Sequence, residues 1–287
     1  MDKFKIGDLI FTWDSPDYKL NNGPFFKKFR VDSSDDFDEI RFKGVLEPIE
    51  PYADHEMLTA VYSYEIYKIN EERFMIYHWA KNRYAFGYYP ERISSDKENI
   101  VYLNPKLKED FVLTTDWFFG LIGLHKALLQ KEKPIVHGSY IDYNGEAIIF
   151  TAPSQTGKST QAELWSKHQQ AEIINGDRVL FGKKDGKWHA YGYPSCGSSN
   201  ICVNRTLPIR AIVILEQSSE NVVEPVSLTD RVRGLMAAIE VYKWDLAELD
   251  MSLKLAQDIA TEVDVVKLSC RPDEGAVEVL KNYLKES

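Results

Sequence analysis

The stretch Ala147-Ile-Ile-Phe-Thr-Ala-Pro-Ser-Gln-Thr-Gly-Lys-Ser-Thr160 decides how this chain is read. Its first five residues, Ala147 to Thr151, form an apolar and largely β-branched run that predicts a buried strand. Gly157-Lys158-Ser159 then opens a helix that continues through Thr160-Gln-Ala-Glu-Leu-Trp-Ser. A phosphate cradle has this form. Small, flexible residues let successive backbone N–H groups point inward, and the positive end of the following helix faces the anion. One lysine neutralises the outer phosphates and one hydroxyl coordinates magnesium. Ser154, Gln155, Thr156, Gly157, Lys158, Ser159 and Thr160 are therefore the expected nucleotide contacts. Lys158 bridges the β- and γ-phosphates in this reading, Ser159 is a magnesium ligand, and Thr160 adds an α-phosphate contact. The usual pattern begins with glycine where this chain has Ala152, which requires a negative φ at that residue.

Working outward, two dipeptides accept the positive φ angles of tight hairpin turns. Asn144-Gly145 separates Ser139-Tyr-Ile-Asp-Tyr from Ala147-Ile-Ile-Phe-Thr, and Asp185-Gly186 separates Val179-Leu-Phe-Gly from Trp188-His-Ala-Tyr. The strand entering the loop thus has an antiparallel neighbour, unlike the alternating strand and helix order of a parallel-sheet nucleotide hydrolase. Downstream, Ile209-Arg-Ala-Ile-Val-Ile-Leu-Glu predicts a strand, followed by helices over about 227–242 and 244–261. A strand at Val263-Asp-Val-Val-Lys-Leu and a closing helix from Asp273 complete the chain. Upstream, Thr115 to about Gln130 predicts one buried helix, with an acid in its first turn. The residues before it carry short aromatic and β-branched runs between polar turns. The expected fold class is α/β with a mixed sheet, a β-rich N-terminal region over 1–113 and a phosphate-loop domain over 114–287. The acidic run from Asp32 to Glu39 reads as solvated loop charge.

A metal–nucleotide site also wants a carboxylate at the end of a neighbouring strand. Asn175-Gly176-Asp177-Arg178 places Asp177 at a strand-to-turn junction, as candidate metal ligand beside Ser159 and candidate catalytic residue. Asn175 is open to two readings, orienting a substrate hydroxyl or ordinary turn chemistry. His137 precedes the hairpin into the loop, and Gly138 beside it lets another backbone or a ligand approach. The other histidines have no companions at ligand spacing.

Taken together, His137-Gly138, Asn144-Gly145, Ala152 through Thr160 and Asn175-Gly176-Asp177-Arg178-Val179 resemble the C-terminal catalytic domain of the HPr kinase/phosphorylase family. They are also similar to its relatives among the kinases of peptide-maturation gene clusters, which share a nucleotide site with phosphoenolpyruvate carboxykinase. The resemblance covers about residues 134 to 217. It implies phosphoryl transfer from ATP, with Mg2+, to a hydroxyl on a peptide or small molecule, with Lys158, Asp177 and His137 near the phosphates. It also implies a possible homo-oligomer. It places Gly192-Tyr-Pro-Ser-Cys-Gly-Ser-Ser-Asn near the acceptor, where Ser195, Gly197, Ser198 and Ser199 are candidate donors. Arg205 or Arg210 is open to a role on the transferring phosphate or to a surface ion pair. One departure matters. HPr kinases carry two consecutive aspartates, the first acting as base, and here that first position is Gly176. Either Asp177 serves both purposes, or His137 or another group takes the proton, or the chain binds nucleotide as a sensor without efficient transfer.

Composition narrows the partners. A formal charge of −9 over 287 residues disfavours nucleic acid and anionic lipid, both of which want clustered Lys and Arg. The N-terminus lacks the apolar stretch of a secretory signal, no run of about 18 apolar residues occurs, and the expectation is a cytoplasmic protein without a membrane span. Cys196, Cys202 and Cys270 have no metal-ligand spacing and read as reduced, packed thiols.

Overall fold

The computed structural model describes residues 1–15, 26–32, 37–47, 55–61, 64–69, 72–79, 82–88, 93–105 and 115–286. Of the acidic run expected to be a solvated loop, residues 33–36 lie outside the described residues, while Asp38 and Glu39 begin a strand instead of a loop. The chain divides into Met1–Gln130 and Lys131–Ser287, whereas the sequence puts the boundary after 113.

In the first unit the strands are β1 (Asp2–Ile6), β2 (Leu9–Asp14), β3 (Asp38–Val45), β4 (Glu56–Val61), β5 (Tyr64–Ile69), β6 (Glu72–Trp79), β7 (Asn82–Tyr88) and β8 (Asn99–Leu103). They form one sheet in the order β1-β2-β3-β8-β7-β6-β5-β4. Burial alternates along β8, as the period of two requires when one face meets the core. Trp13 packs edge-on against Phe118, with ring centroids 4.9 Å apart. Phe118 belongs to α1 (Thr115–Leu121), which is followed by α2 (Leu124–Gln130). The single helix expected here is two because Gly123 adopts φ 59, a left-handed conformation that ends a helix. His125 is buried in α2.

The second unit carries β9 (Ile135–Tyr143), β10 (Glu146–Thr151), α3 (Lys158–Gln169), β11 (Glu172–Asn175), β12 (Arg178–Lys184), β13 (Lys187–Tyr191), β14 (Thr206–Gln217), β15 (Val222–Pro225), α4 (Leu228–Ala238), α5 (Leu246–Glu262), β16 (Val265–Cys270) and α6 (Glu274–Glu286). Both hairpins are present. Asn144 and Gly145 have φ 57 and 84 between antiparallel β9 and β10, and Asp185 and Gly186 have φ 52 and 75 between antiparallel β12 and β13. β14 pairs with β13 on one side and runs parallel to β10 on the other, so β9, β10, β12, β13 and β14 close a five-stranded barrel. β16 continues in parallel beside β14, with antiparallel β15 outside it. The sheet is mixed as expected, and the antiparallel partner of β10 excludes the all-parallel alternative. Among the described residues no helix is long and apolar enough to cross a membrane.

β10 is buried from Ala147 to Thr151 because both of its faces are covered. Ile148 and Phe150 pack in one cluster with Ala162 and Trp165 of α3, Val213 and Leu215 of β14, and Val277 and Leu280 of α6. Alternation sends Ala147 and Ile149 to the opposite face. Trp165 is fully buried and meets Tyr143 edge-on at 5.0 Å. It thereby fixes α3, and the loop before α3, against the strands. Trp165→Ala should lower the stability of this unit by about 3–5 kcal/mol, read as a drop in the urea midpoint of its transition. A shift below about 1 kcal/mol would mean that α3 docks through other contacts.

Candidate functional site

The loop between β10 and α3 bends through two left-handed residues, Gln155 at φ 66 and Gly157 at φ 115. A Cβ at Gly157 would meet nothing, so conformation and not space favours glycine there. Ala152 is not among the positive-φ residues, which is the condition its presence requires. Gly157 starts α3 without a side-chain cap, and the first turn of α3 contains no acid. The free N–H groups of that turn and the helix dipole therefore face the loop with no built-in counter-charge. Ser159 and Thr160 are exposed on this turn, Ser154 and Gln155 are exposed in the loop, and Thr156 is half-buried. Lys158 is buried, and its Nζ donates to the carbonyls of Ala152 at 2.9 Å and Pro153 at 3.2 Å. Burial holds its pKa below the ordinary lysine value, with Asp177 acting in the opposite direction.

Asp177 reaches the same end of the barrel through β9. Thr151 Oγ1, at the end of β10, donates to the His137 carbonyl at 3.0 Å. Gly138 N–H donates to the Asp177 carbonyl at 2.9 Å, and Arg178 stands opposite His137 in the β9–β12 register. A Cβ at Gly138 would lie 2.9 Å from the Phe150 carbonyl oxygen, so the close approach expected at this glycine is made by the backbone of β10. The turn from 175 to 178 is tightly held. Asn175 Oδ1 accepts from the N–H groups of Asp177 at 2.9 Å and Arg178 at 3.0 Å. Its Nδ2 donates to the carbonyls of Tyr193 at 2.8 Å and Ser195 at 3.0 Å. Ser139 Oγ donates to the Gly176 carbonyl at 3.1 Å.

Both oxygens of Asp177 are engaged. His137 Nε2 lies 3.2 Å from Oδ1, and Arg178 Nη1 donates to Oδ2 at 3.2 Å. The hydrogen bond from His137 is the main reason its carboxyl is held below the usual carboxylate range; burial opposes it, and the charges of Arg178, His137 and Lys158 assist. Arg178 also donates from Nη1 to Ser195 Oγ at 2.7 Å and from Nε to Glu240 Oε2 at 3.0 Å. Burial works against its charge, and the neighbouring Glu240, Tyr193 and Asp177 outweigh that effect.

The structure thus brings His137, Lys158 and Asp177 together beside the loop. Other candidates are used elsewhere. Asn175 is fully buried with its amide spent on the backbone, so it orients the turn and no substrate. Arg205 binds Asp142 at 3.0 Å and Glu172 at 2.5 Å, and Arg210 donates to the Leu284 carbonyl at 2.6 Å. Both lie toward the opposite end of β10 from the loop, since Ala147 pairs with Ile209 and Asp142. Ser195 is taken by Arg178, while Gly197 and Ser198 are exposed. Cys196, Cys202 and Cys270 are buried and in no disulfide. Two contributors were not singled out from sequence, Arg178 and Glu240. The Asp-Arg pair in a tight turn was the available signal for the first, because a turn releases neighbours from pointing to opposite faces. Glu240 offered none, lying 62 residues away.

No protein-family model matches the chain, and no curated protein does. Among solved structures, the Hpr(Ser) kinase/phosphatase from Coxiella burnetii aligns over 53% of this chain and 97% of its own, at 8% identity and a TM-score of 0.30. A superposition that loose says nothing about activity.

The depressed pKa of Asp177 has a measurable consequence. The folded protein binds this proton less tightly than the unfolded chain, so the associated stability is complete above the unfolded value of about 3.9 and is lost as pH falls through the folded one. Urea midpoints of the wild type and Asp177→Asn should therefore differ above about pH 4 and converge below it. A gap that stays constant across that range would show that the carboxylate charge contributes nothing to the turn.

Proposed function

We propose that this protein is an ATP-dependent kinase that transfers the γ-phosphoryl group to a hydroxyl of a peptide or small molecule. The observation that carries the reading is the state of Lys158. Its ammonium is buried, poorly solvated and bonded to two carbonyls of the loop it would serve, at the uncapped start of α3 and within the field of Asp177. A cation so placed gains most from an anion that replaces those carbonyls.

In this reading the loop N–H groups and the α3 terminus bind the phosphates, and Lys158 turns from Ala152 and Pro153 to the outer ones. Ser159 and Asp177 hold the cation. One carboxylate and one hydroxyl suit magnesium, which keeps several waters and takes further oxygens from the phosphates. When bound, it supplies charge neutralisation across the β- and γ-phosphates. Asp177 would supply the carboxylate for it, oriented by its contacts with His137 and Arg178. His137, as a neutral imidazole, would be the group beside Asp177 available to take the acceptor proton. A loose transition state needs positioning and charge neutralisation more than a strong base, so a site with one carboxylate is compatible with transfer.

Gly176 favours a second reading, a nucleotide-binding sensor without efficient transfer, because no carboxylate stands beside Asp177 to take the proton. Radiolabelled ATP separates the two. Label passing to a peptide or metabolite of a host lysate with the wild type, and not with Lys158→Ala, supports the kinase. Retention of nucleotide with label going nowhere supports the sensor. Both readings require binding, and Mg-ATP at about 100 times its dissociation constant should add roughly 2.7 kcal/mol of stability, seen as a thermal shift. Lys158→Ala should abolish that shift and Asp177→Asn should remove its dependence on magnesium. No shift at millimolar Mg-ATP would overturn both readings.

A further inference from the structure

The residue beside Asp177 lacks a side chain for a spatial reason. Gly176 is buried and its φ is not positive, so its backbone is open to any residue. A Cβ built there would nevertheless overlap both Cβ and Oγ of Ser199. Ser199 is in no position to yield. It ends a short 3-10 turn, Gly197–Ser199, and its Oγ donates to the Cys196 carbonyl at 2.6 Å and accepts from Ile201 N–H at 3.3 Å. The segment around it is tied to the acidic turn at both ends, by Asn175 to Tyr193 and Ser195 and by Val203 N–H to the Ile174 carbonyl at 2.9 Å.

Gly197 makes the reciprocal approach. It has φ 53, and a Cβ there would lie 2.8 Å from Cγ of Asp177 and 3.0 Å from its Oδ1. The Asp177 carboxyl therefore rests against the Gly197 backbone, while the Ser199 side chain rests where a residue at 176 would put its own.

We propose that Ser199 is a positioning residue for Asp177: it fills the side-chain place at position 176 and so holds Gly197 against the Asp177 carboxylate. Its hydroxyl is committed to its own turn and does not serve an acceptor. The inference rests on the kinase or sensor reading only in giving Asp177 the work of holding the cation.

The clash involves Cβ as well as Oγ, so the two ways of trimming Ser199 must behave differently. The full-length wild type is compared with Gly176→Ala, Gly176→Ala/Ser199→Ala and Gly176→Ala/Ser199→Gly. The readouts are the magnesium concentration giving half of the ATP-dependent thermal shift and the urea midpoint without ligand. Gly176→Ala should raise the magnesium requirement by about tenfold or more and lower the urea midpoint. Ser199→Gly in that background should restore both, and Ser199→Ala should restore neither. Where Gly176→Ala does not fold, return of a folded, magnesium-responsive protein with Ser199→Gly but not Ser199→Ala supports the proposal equally. An unchanged magnesium requirement in Gly176→Ala, failure of Ser199→Gly to restore it, or equal restoration by Ser199→Ala would overturn it. A wild type that Mg-ATP does not stabilise overturns the nucleotide reading and this role with it, while the urea midpoints still report on the packing separately.

Discussion

The arrangement of the site depends on the divided pairing of β9. Along one edge this strand pairs with β10 from Tyr143 to Gly138. Along the other it pairs first with β11, at Ile141 and Asp142, and then with β12, at Val136 and His137. The chain between β11 and β12 must therefore turn within a few residues at the level of Ser139 and Gly138. That level is where β10 ends at Thr151 and the loop begins. Asp177 and Lys158, about twenty residues apart in sequence, meet because one strand is shared by the two elements that carry them. The buried N–H and C=O groups of the turn are satisfied by Asn175, Ser139 and Gly138, as buried backbone must be. The geometry is thus specified by hydrogen bonds that involve no ligand.

Charge at this place is arranged around one carboxylate. Asp177 faces Arg178, His137 and Lys158, all of which hold its proton off, while Lys158 is itself only weakly compensated because its contacts are neutral carbonyls. Lys158 thus lacks an anion in direct contact, and an anion entering the loop would improve both its solvation and the use of the α3 terminus. The first turn of α3 holds no acid of its own. An acid in the first turn of α3 would satisfy the dipole and the lysine internally and leave nothing for a ligand.

Much of this was legible in the sequence, for local reasons. The turns Asn144-Gly145 and Asp185-Gly186 announce positive φ, and with it antiparallel hairpins. The strands around them are short runs rich in β-branched and aromatic residues, which favours strand over helix. The helices from 228, 246 and 274 and the strand from 265 begin within two residues of their expected starts. What escaped the reading involves distance or space. The closure of the barrel by β10 with β14 is a non-local pairing that no window of sequence contains. The break at Gly123 was hidden by an apolar pattern that runs through it. Sequence leaves Arg205 and Arg210 open to a phosphate role or a surface ion pair, and only the register and the pairs of Arg205 with Asp142 and Glu172 show that they sit at the end of β10 away from the loop. Gly176 reads as a missing carboxylate, and no sequence window shows that Ser199 fills the space a side chain there would need.

Glu240 shows how far the definition of the site extends. Its N–H donates to the Ile135 carbonyl at 2.9 Å, and Ile239 bridges to Val136, so the segment after α4 docks at the start of β9. From there Glu240 holds Arg178, and Arg178 holds both Asp177 and Ser195. A guanidinium has donors fixed in one plane, so anchoring Nε on Glu240 also sets the direction of Nη1. The orientation of the Asp177 carboxylate is thereby determined from two sides, Ser199 and Gly197 by contact and Arg178 and Glu240 by charge, and Ser195 joins the two through its bond to Arg178. Both constraints act on the one carboxylate, which is why the acid can stand in a turn rather than on a strand and still be held in one place.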